Sequence, residues 1–587
     1  MVDSCGRTER GDDDQPISWL GIEEVSPLTG KKKDTKAPHA GARRWSSVAS
    51  ATVVVLIMAT PPLLFLLGGR LGAPVVWIRS TVASVGASQT VVAAESKKDA
   101  LLGGLLLPGF DEQTCASRYQ SVYYRKNLTR QPSPYLIKRL REQEALQRRC
   151  GPGTEPYARA SERLRSGQTG GAVDDDDGDG GCRYLVLISY RGLGNRMLAI
   201  TSAFLYALLT RRVLLVDRGY GNTLPDLFCE PFPGTTWALP LDFPLDKEFR
   251  DLDETAPESY GNVAVNRSGS VSGMRFVYLH LDHAASQANR LVYCDDDEPS
   301  SFLRRMQWAI LRTDQYMVPG LFFNPAHQGE LDRLFPRKDS VFYLLSRYLL
   351  HPTNDVWGMV TRYYNAYLSG ADERLGIQIR VLFGGDKPAQ HVLDQILACT
   401  SRERLLPGVV TTQEGPAPAP PLPAAAGARR SKAVLVTGLS GWYHDSIREM
   451  YWESPAADGE VVSLFQPSHE EHQLWYQNKH DMKAAAEIYL LSLTDKIVTS
   501  AWSTFGYVGY ALGGLRPYLM FLPENQTAPD PPCTRATSME PCSHGAPSFE
   551  CTRKEIGTII NTGLLLPHVR ACEDISWGLK LTDPDEV

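Results

Sequence analysis

The sequence predicts an α/β protein of two Rossmann-like domains facing a cleft, preceded by one N-terminal transmembrane helix. Three observations predict it. Residues 184–217 read as strand, glycine turn, helix, strand; residues 374–500 repeat that alternation; and residues 48–69 (VASATVVVLIMATPPLLFLLGG) carry no charge. Strand–helix–strand alternation is the unit of a parallel sheet, with its helices on the sheet faces. The 587 residues allow about four domains. A composition of 43% hydrophobic and 22% charged residues excludes wholesale disorder, collagen and a polytopic membrane protein. The net charge of -6 speaks against a molecule dominated by a nucleic-acid surface.

The uncharged run is long enough to cross about 30 Å of hydrocarbon, and it begins too deep and runs too long for a cleaved signal peptide. Lys31, Lys32, Lys33, Lys36, Arg43 and Arg44 precede it, against Arg70 and Arg79 close behind. That bias makes 1–47 a cytoplasmic tail, 48–69 the anchor and everything beyond it lumenal. Residues 70–100 are small and weakly patterned, as in a stem. An oxidising lumen suits the ten cysteines beyond the span, which permit up to five disulfides of open connectivity. Asn127, Asn266 and Asn525 each head a glycosylation triplet.

Past the stem, residues 135–149 alternate apolar and charged positions at helical spacing, ending at a Cys-Gly-Pro-Gly stop. Residues 167–181, with four consecutive aspartates, read as an exposed acidic loop. A strand at 184–188, the turn Arg191-Gly-Leu-Gly-Asn195-Arg196, a helix at 197–209 and a strand at 213–217 follow. A helical bridge spans about 299–372. Beyond it come a strand from Arg374 to Phe383, a helix at 391–399, a Pro/Ala-rich surface insert at 407–430, a strand at 432–437 and a helix at 442–452. A strand at 460–465, a helix at 481–492 and a strand at 496–500 complete the series. The expected divisions are thus an N-terminal domain with the bridge (101–372), a C-terminal domain (373–525) and a Cys-rich end (526–587).

Ligands of such sheets bind beyond the carboxyl ends of the strands. Three segments there carry chemistry. The 191–196 turn offers glycines that admit a ligand or partner loop, and donors from Asn195 and Arg196 at a helix start. It lacks the third glycine of a dinucleotide fingerprint, and no phosphate-binding GxxxxGK[ST] run occurs. Arg380, read as a charge within an apolar strand, must meet either a carboxylate or a phosphate. The hydroxyl-rich turn Ser500 to Phe505, with Ser503 and Thr504, suits an anion or simply caps the next helix.

The runs RGLGNRMLAITSAFLYALLTRRVLLVDR, ADERLGIQIR, VLVTGLSGWYHDSIREMYW, FQPSHEEHQ and VTSAWSTFGYVGYALGGLRP together resemble the plant xyloglucan fucosyltransferases, Golgi α-1,2-fucosyltransferases. The likeness runs from about Leu101 to Trp577. It implies a GT-B-like fold and inverting transfer of L-fucose from the co-substrate GDP-fucose, with no metal or other cofactor. The acceptor it implies is a cell-wall polysaccharide or glycoprotein glycan: galactose of xyloglucan or, alternatively, arabinose of an arabinogalactan protein. It also implies a Golgi membrane setting, no nucleic-acid partner and, as an option, a homodimer. Carried onto this chain, it makes Arg380 the guanidinium that neutralises the donor pyrophosphate. Ser500, Ser503, Thr504 and Phe505 form the other wall of the donor pocket, with Gln466, His469, Asn195 and Arg196 approaching it. Asp314 is the candidate base for the acceptor hydroxyl. Competing readings are a metal-dependent transferase using Asp295 and Asp297, which the Arg380 counter-charge disfavours, and a non-catalytic anchored glycan-binding protein.

Overall fold

A computed structural model describes residues 101–125, 130–167, 181–219, 223–266, 273–294, 302–381, 387–410, 430–474, 477–545 and 566–583. The expected anchor, the stem, Asn127, the aspartate run, Asp295–Asp297 and most of the Pro/Ala insert lie outside them.

Helices α1 (Ala116–Tyr124), α2 (Pro134–Cys150) and α3 (Glu155–Ser166) come first. Ser133 and Thr154 cap the latter two by accepting from Leu136 N–H and Tyr157 N–H, each ahead of a proline in the first turn. Strand β1 (Tyr184–Ser189) is buried on both faces: Leu185 and Leu187 join one apolar cluster, Tyr184, Val186 and Ile188 another. Double-sided burial explains its unbroken apolar run. Helix α4 (Leu193–Thr210) leads to β2 (Val213–Val216). Long and apolar enough to cross a membrane, α4 instead lies buried in the core.

The first sheet holds two further strands, β3 (Val277–His280) and β4 (Trp308–Thr313), in the parallel order β2-β1-β4-β3. Tyr184 stands opposite both Val213 and Trp308. The expectation of a purely helical bridge at 299–372 is corrected here, because β4 falls inside it and occupies the centre of this sheet. After β4 the bridge is helical, with a ten-residue helix at Pro325–Leu334 followed by α5 (Val341–Leu349) and α6 (Asn354–Tyr363).

The second sheet is built from β5 (Glu373–Gln378), β6 (Ser431–Thr437), β7 (Val461–Phe465), β8 (Lys496–Thr499), β9 (Tyr518–Met520) and β10 (Cys533–Arg535). Its order is β10-β9-β8-β5-β6-β7, parallel except for β10. Helices α7 (Gln390–Arg402), α8 (Trp442–Glu453), α9 (Asn478–Leu491) and α10 (Thr504–Gly513) are its crossovers. The largest apolar cluster joins α4 and α5 to α9 and α10. The described residues accordingly form one compact unit carrying both sheets.

Among the described residues four disulfides have both partners, Cys115–Cys229, Cys150–Cys182, Cys399–Cys533 and Cys542–Cys572, and Cys294 is disulfide-bonded as well. The Cys-rich end is no appendage, since β10 lies in the second sheet and Cys533 pins it to α7.

Candidate functional site

Each sheet has one topological switch point, where the chain leaves a central strand toward opposite sides. In the second sheet it lies between β5 and β8. Strand β5 stops at Gln378; Ile379 N–H still donates to Thr437 O at 2.8 Å, and Arg380 stands beyond. This corrects the reading of Arg380 as a charge inside a buried strand. Its backbone N–H donates to Ser500 Oγ at 2.9 Å, which ties the ends of β5 and β8 together. The residue is exposed, yet enough protein surrounds its guanidinium that desolvation alone lowers its pKa. No carboxylate contributes to that shift, and the guanidinium makes no ion pair with a described residue. The buried, paired arginine of this strand is Arg374, whose Nη2 lies 2.8 Å from Asp495 Oδ2.

The 500–505 turn is held from within. Trp502 has φ 57°, a left-handed conformation, and is clamped by Asp574: its N–H donates to Oδ2 at 3.1 Å and its indole Nε1 to the carbonyl at 3.0 Å. Ser503 is buried and caps α10 by accepting from Gly506 N–H. Ser500 receives the Arg380 N–H, and Thr504 Oγ1 donates to Asn195 Oδ1 at 2.9 Å. These hydroxyls therefore shape the loop, which corrects the expectation of direct ligand contact for Ser503. Phe505 packs at the edge of the core.

Beside them, the loops after β6 and β7 brace each other. Gln466 Nε2 donates to Gly438 O at 3.2 Å, leaving its buried Oε1 without a partner, and Gly441 N–H donates to Glu471 Oε1 at 2.9 Å. His469 is exposed, its ring near that of His444. Ser468 bonds the buried Glu487, whose carboxyl is pushed up to about 8 by burial. A carboxyl raised in the folded state stabilises fully below its unfolded value of about 4.5, and that stability is lost as pH rises through about 8. Glu540, raised the same way by burial, adds to the trend. Glu487→Gln should therefore flatten part of the fall in melting temperature between pH 5 and pH 9; an unchanged slope would reject the assignment.

The first sheet switches between β1 and β4, at Arg191 and Asp314. Arg191, at φ 69°, places Nε 3.2 Å from Asp314 Oδ2. The same Oδ2 lies 3.0 Å from His283 Nδ1, and Asp314 Oδ1 accepts from His283 N–H at 3.2 Å. Asp314 is only 4% exposed and its carboxylate is occupied, whereas the His283 side chain is 39% exposed. The group of this pair open to solvent is thus the imidazole, while the Asp314 carboxylate, expected as the base, is buried against it. Asp314 raises the His283 pKa through this hydrogen bond. Arg196 is not free either, because its Nη2 pairs with Asp481 Oδ2 at 2.7 Å.

Asn195 connects the two switch points. It accepts from Thr504 in the 500–505 turn and donates Nδ2–H to Asp314 O at 2.9 Å. Cys542, Cys572 and Asp574 cluster like metal ligands, but both sulfurs are consumed in a disulfide.

The chain matches the xyloglucan fucosyltransferase family over residues 75–552. It belongs to that family. It is 51% identical over 490 residues to the galactoside 2-alpha-L-fucosyltransferase of Pisum sativum, covering 83% of either chain. With the Arabidopsis thaliana protein of the same description the identity is 51% over 484 residues, 82% of this chain and 83% of the relative. A solved structure of an Arabidopsis thaliana FUT1 arginine-to-lysine mutant in complex with GDP is 50% identical, with a TM-score of 0.73 over 82% of this chain and 100% of that one.

Within this xyloglucan fucosyltransferase fold, the sequence reading missed His283 and Asp574. The signal for His283 was its place after an apolar run, Phe276-Val-Tyr-Leu-His-Leu281. A Cβ on Gly194 would lie 2.6 Å from the Thr504 carbonyl carbon and 2.7 Å from Phe505 N. The glycine is thus needed for a partner loop, one of the two uses expected of it. Gly194→Ala should destabilise by about 1–3 kcal/mol, read as a lowered melting temperature, because backbone must give way. Asn525, finally, sits on an exposed turn.

Proposed function

We propose that this member of the family transfers L-fucose from GDP-fucose, with inversion, to the 2-hydroxyl of a galactose in a xyloglucan side chain. The observation that carries the reading is the unpaired Arg380 guanidinium at the β5–β8 switch point. A planar fork of donors matches phosphate oxygens at two points. As the bond from fucose C1 to the β-phosphate oxygen breaks, charge grows on GDP, and Arg380 neutralises it. The acceptor oxygen attacks C1 from the opposite side and its proton passes to His283 Nε2, with Asp314 holding the imidazole through Nδ1. GDP-fucose is a co-substrate, and the charge balance needs no metal ion.

The reading includes a GT-B-like division of labour: donor on the second sheet, acceptor on the first, with Thr504–Asn195–Asp314 as the bridge between them. Gln466 and His469 border the donor side, while Ser500, Ser503, Thr504 and Phe505 set its loop. The uncharged run at 48–69 and the lysines before it support a single-pass Golgi anchor with the catalytic part lumenal.

The test is transfer of radiolabelled fucose from GDP-fucose to a panel of defined oligosaccharides, with EDTA as one arm. Label on galactose-terminated xyloglucan fragments is expected, undiminished by EDTA. Label on arabinogalactan arabinose instead would move the acceptor. Absence of both transfer and GDP release would sink the catalytic reading.

A further inference from the structure

At the other end of α10 from the 500–505 loop, a cavity of about 20 Å³ lies among α1, α5, α6, α9 and α10, lined by Arg125, Arg347, His351, Ser121, Trp357 and Tyr489 among others. Arg347, on α5, is 5% exposed, and none of its three guanidinium nitrogens has a hydrogen-bond partner. Its guanidinium carbon lies 3.7 Å from the centroid of the Tyr343 ring. Stacking uses the face of the cation and leaves every N–H, which lies in the plane, unanswered. Arg125 enters the same cavity: one nitrogen donates to Leu512 O at 2.9 Å, while its buried Nε has no partner. No carboxylate among the described residues lines the space, and burial lowers the His351 pKa, favouring the neutral ring.

Two guanidiniums that cannot deprotonate therefore share one small space without a counter-charge among the described residues. Burying a single unpaired ion costs several kcal/mol, and a like-charged neighbour adds to it. A cavity that admits one water-sized particle needs only about 10–15 Å³, so the space accepts a single water or a small ion. Water would satisfy one or two N–H groups and leave both charges uncompensated; a monovalent anion answers both. We propose that this cavity is a binding site for one small anion, chloride, held between Arg347 and Arg125. Its effect is structural: it ties the end of α1 to α5 and, through Leu512, to the C-terminal turn of α10, the helix that starts at the 500–505 loop.

The test uses the full-length protein at constant ionic strength, with chloride or bromide replacing gluconate. The melting temperature should rise and saturate with either halide but not with sulfate, which is too large for the space. Arg347→Met and, independently, Arg125→Met should remove the halide dependence. Crystals grown in bromide should show an anomalous peak between the two guanidiniums. Equal melting temperatures in chloride and gluconate, equal stabilisation by sulfate, or bromide crystals without that peak would each overturn the proposal. None of these readouts uses transferase activity, so they stand apart from the test of the transfer reaction.

Discussion

Arg380→Ala should melt at the wild-type temperature, lose the stabilisation that GDP confers and fall by about 10³-fold or more in turnover. The fold should survive because the side chain pairs with no described residue and only its backbone N–H, which alanine retains, is used to join β5 to β8. Arg380→Lys should fail nearly as badly: an ammonium keeps the charge but loses the two-point fork. Arg374→Ala on the same strand is the control with the opposite signature. It takes the guanidinium away from Asp495, a partner one-third exposed that still accepts from the residue-374 N–H, and should cost about 1–3 kcal/mol of stability while GDP binding by the remaining folded protein is unchanged. Thermal melts with and without GDP, beside steady-state turnover, separate the two. An Arg380→Ala protein that still gains stability from GDP as the wild type does would remove the donor assignment.

The second large effect is expected at His283. His283→Ala should lower kcat by about 10²–10⁴-fold with little change in GDP binding, the range removed with a positioned base. In the wild type, kcat/KM should climb with pH through the imidazole pKa. That pKa lies above its ordinary value because the Asp314 carboxylate favours the protonated ring. Asp314→Asn should shift the climb to lower pH and lower the plateau, since the ring loses both its partner charge and its orientation. The stability linkage has the matching sign: the Asp314–His283 pair contributes fully below about pH 6.5 and is lost as pH rises through the folded value. Wild-type turnover in His283→Ala, or a pH profile unmoved in Asp314→Asn, would discard the base.

Much of the second sheet was legible before folding. Its strands are short apolar runs separated by helical periods, and Gln466 and the 500–505 turn directly follow two of them, whereas the end of β5 before Arg380 was not legible. Strands β3 and β4 were not legible. The run Trp308-Ala-Ile-Leu-Arg-Thr313 is six residues long, within a stretch that otherwise reads as helix, and periodicity cannot separate a buried strand from a helical turn at that length. Missing β4 hid the switch point, and so hid why Asp314 matters. Arg374 and Arg380 show a further limit. Six residues apart, they fall on one face of any extended strand, so alternation alone assigns them the same environment. Where β5 stops, and where Asp495 lands, makes one a buried ion pair and leaves the other open.

The sequence by itself determined the alternating α/β plan, the cysteine-rich character and the segments that end at strand tips, because each is written in contiguous residues whose local pattern carries the information. Only the tertiary structure decided the partners. Thr504 meets Asn195 across 309 residues, Arg196 meets Asp481 across 285, and His283 meets Asp314 only because β3 and β4 lie side by side. A polar side chain's local sequence states that it needs a partner; which partner it finds is fixed by sheet order and helix packing, in which residues far apart in the chain become neighbours.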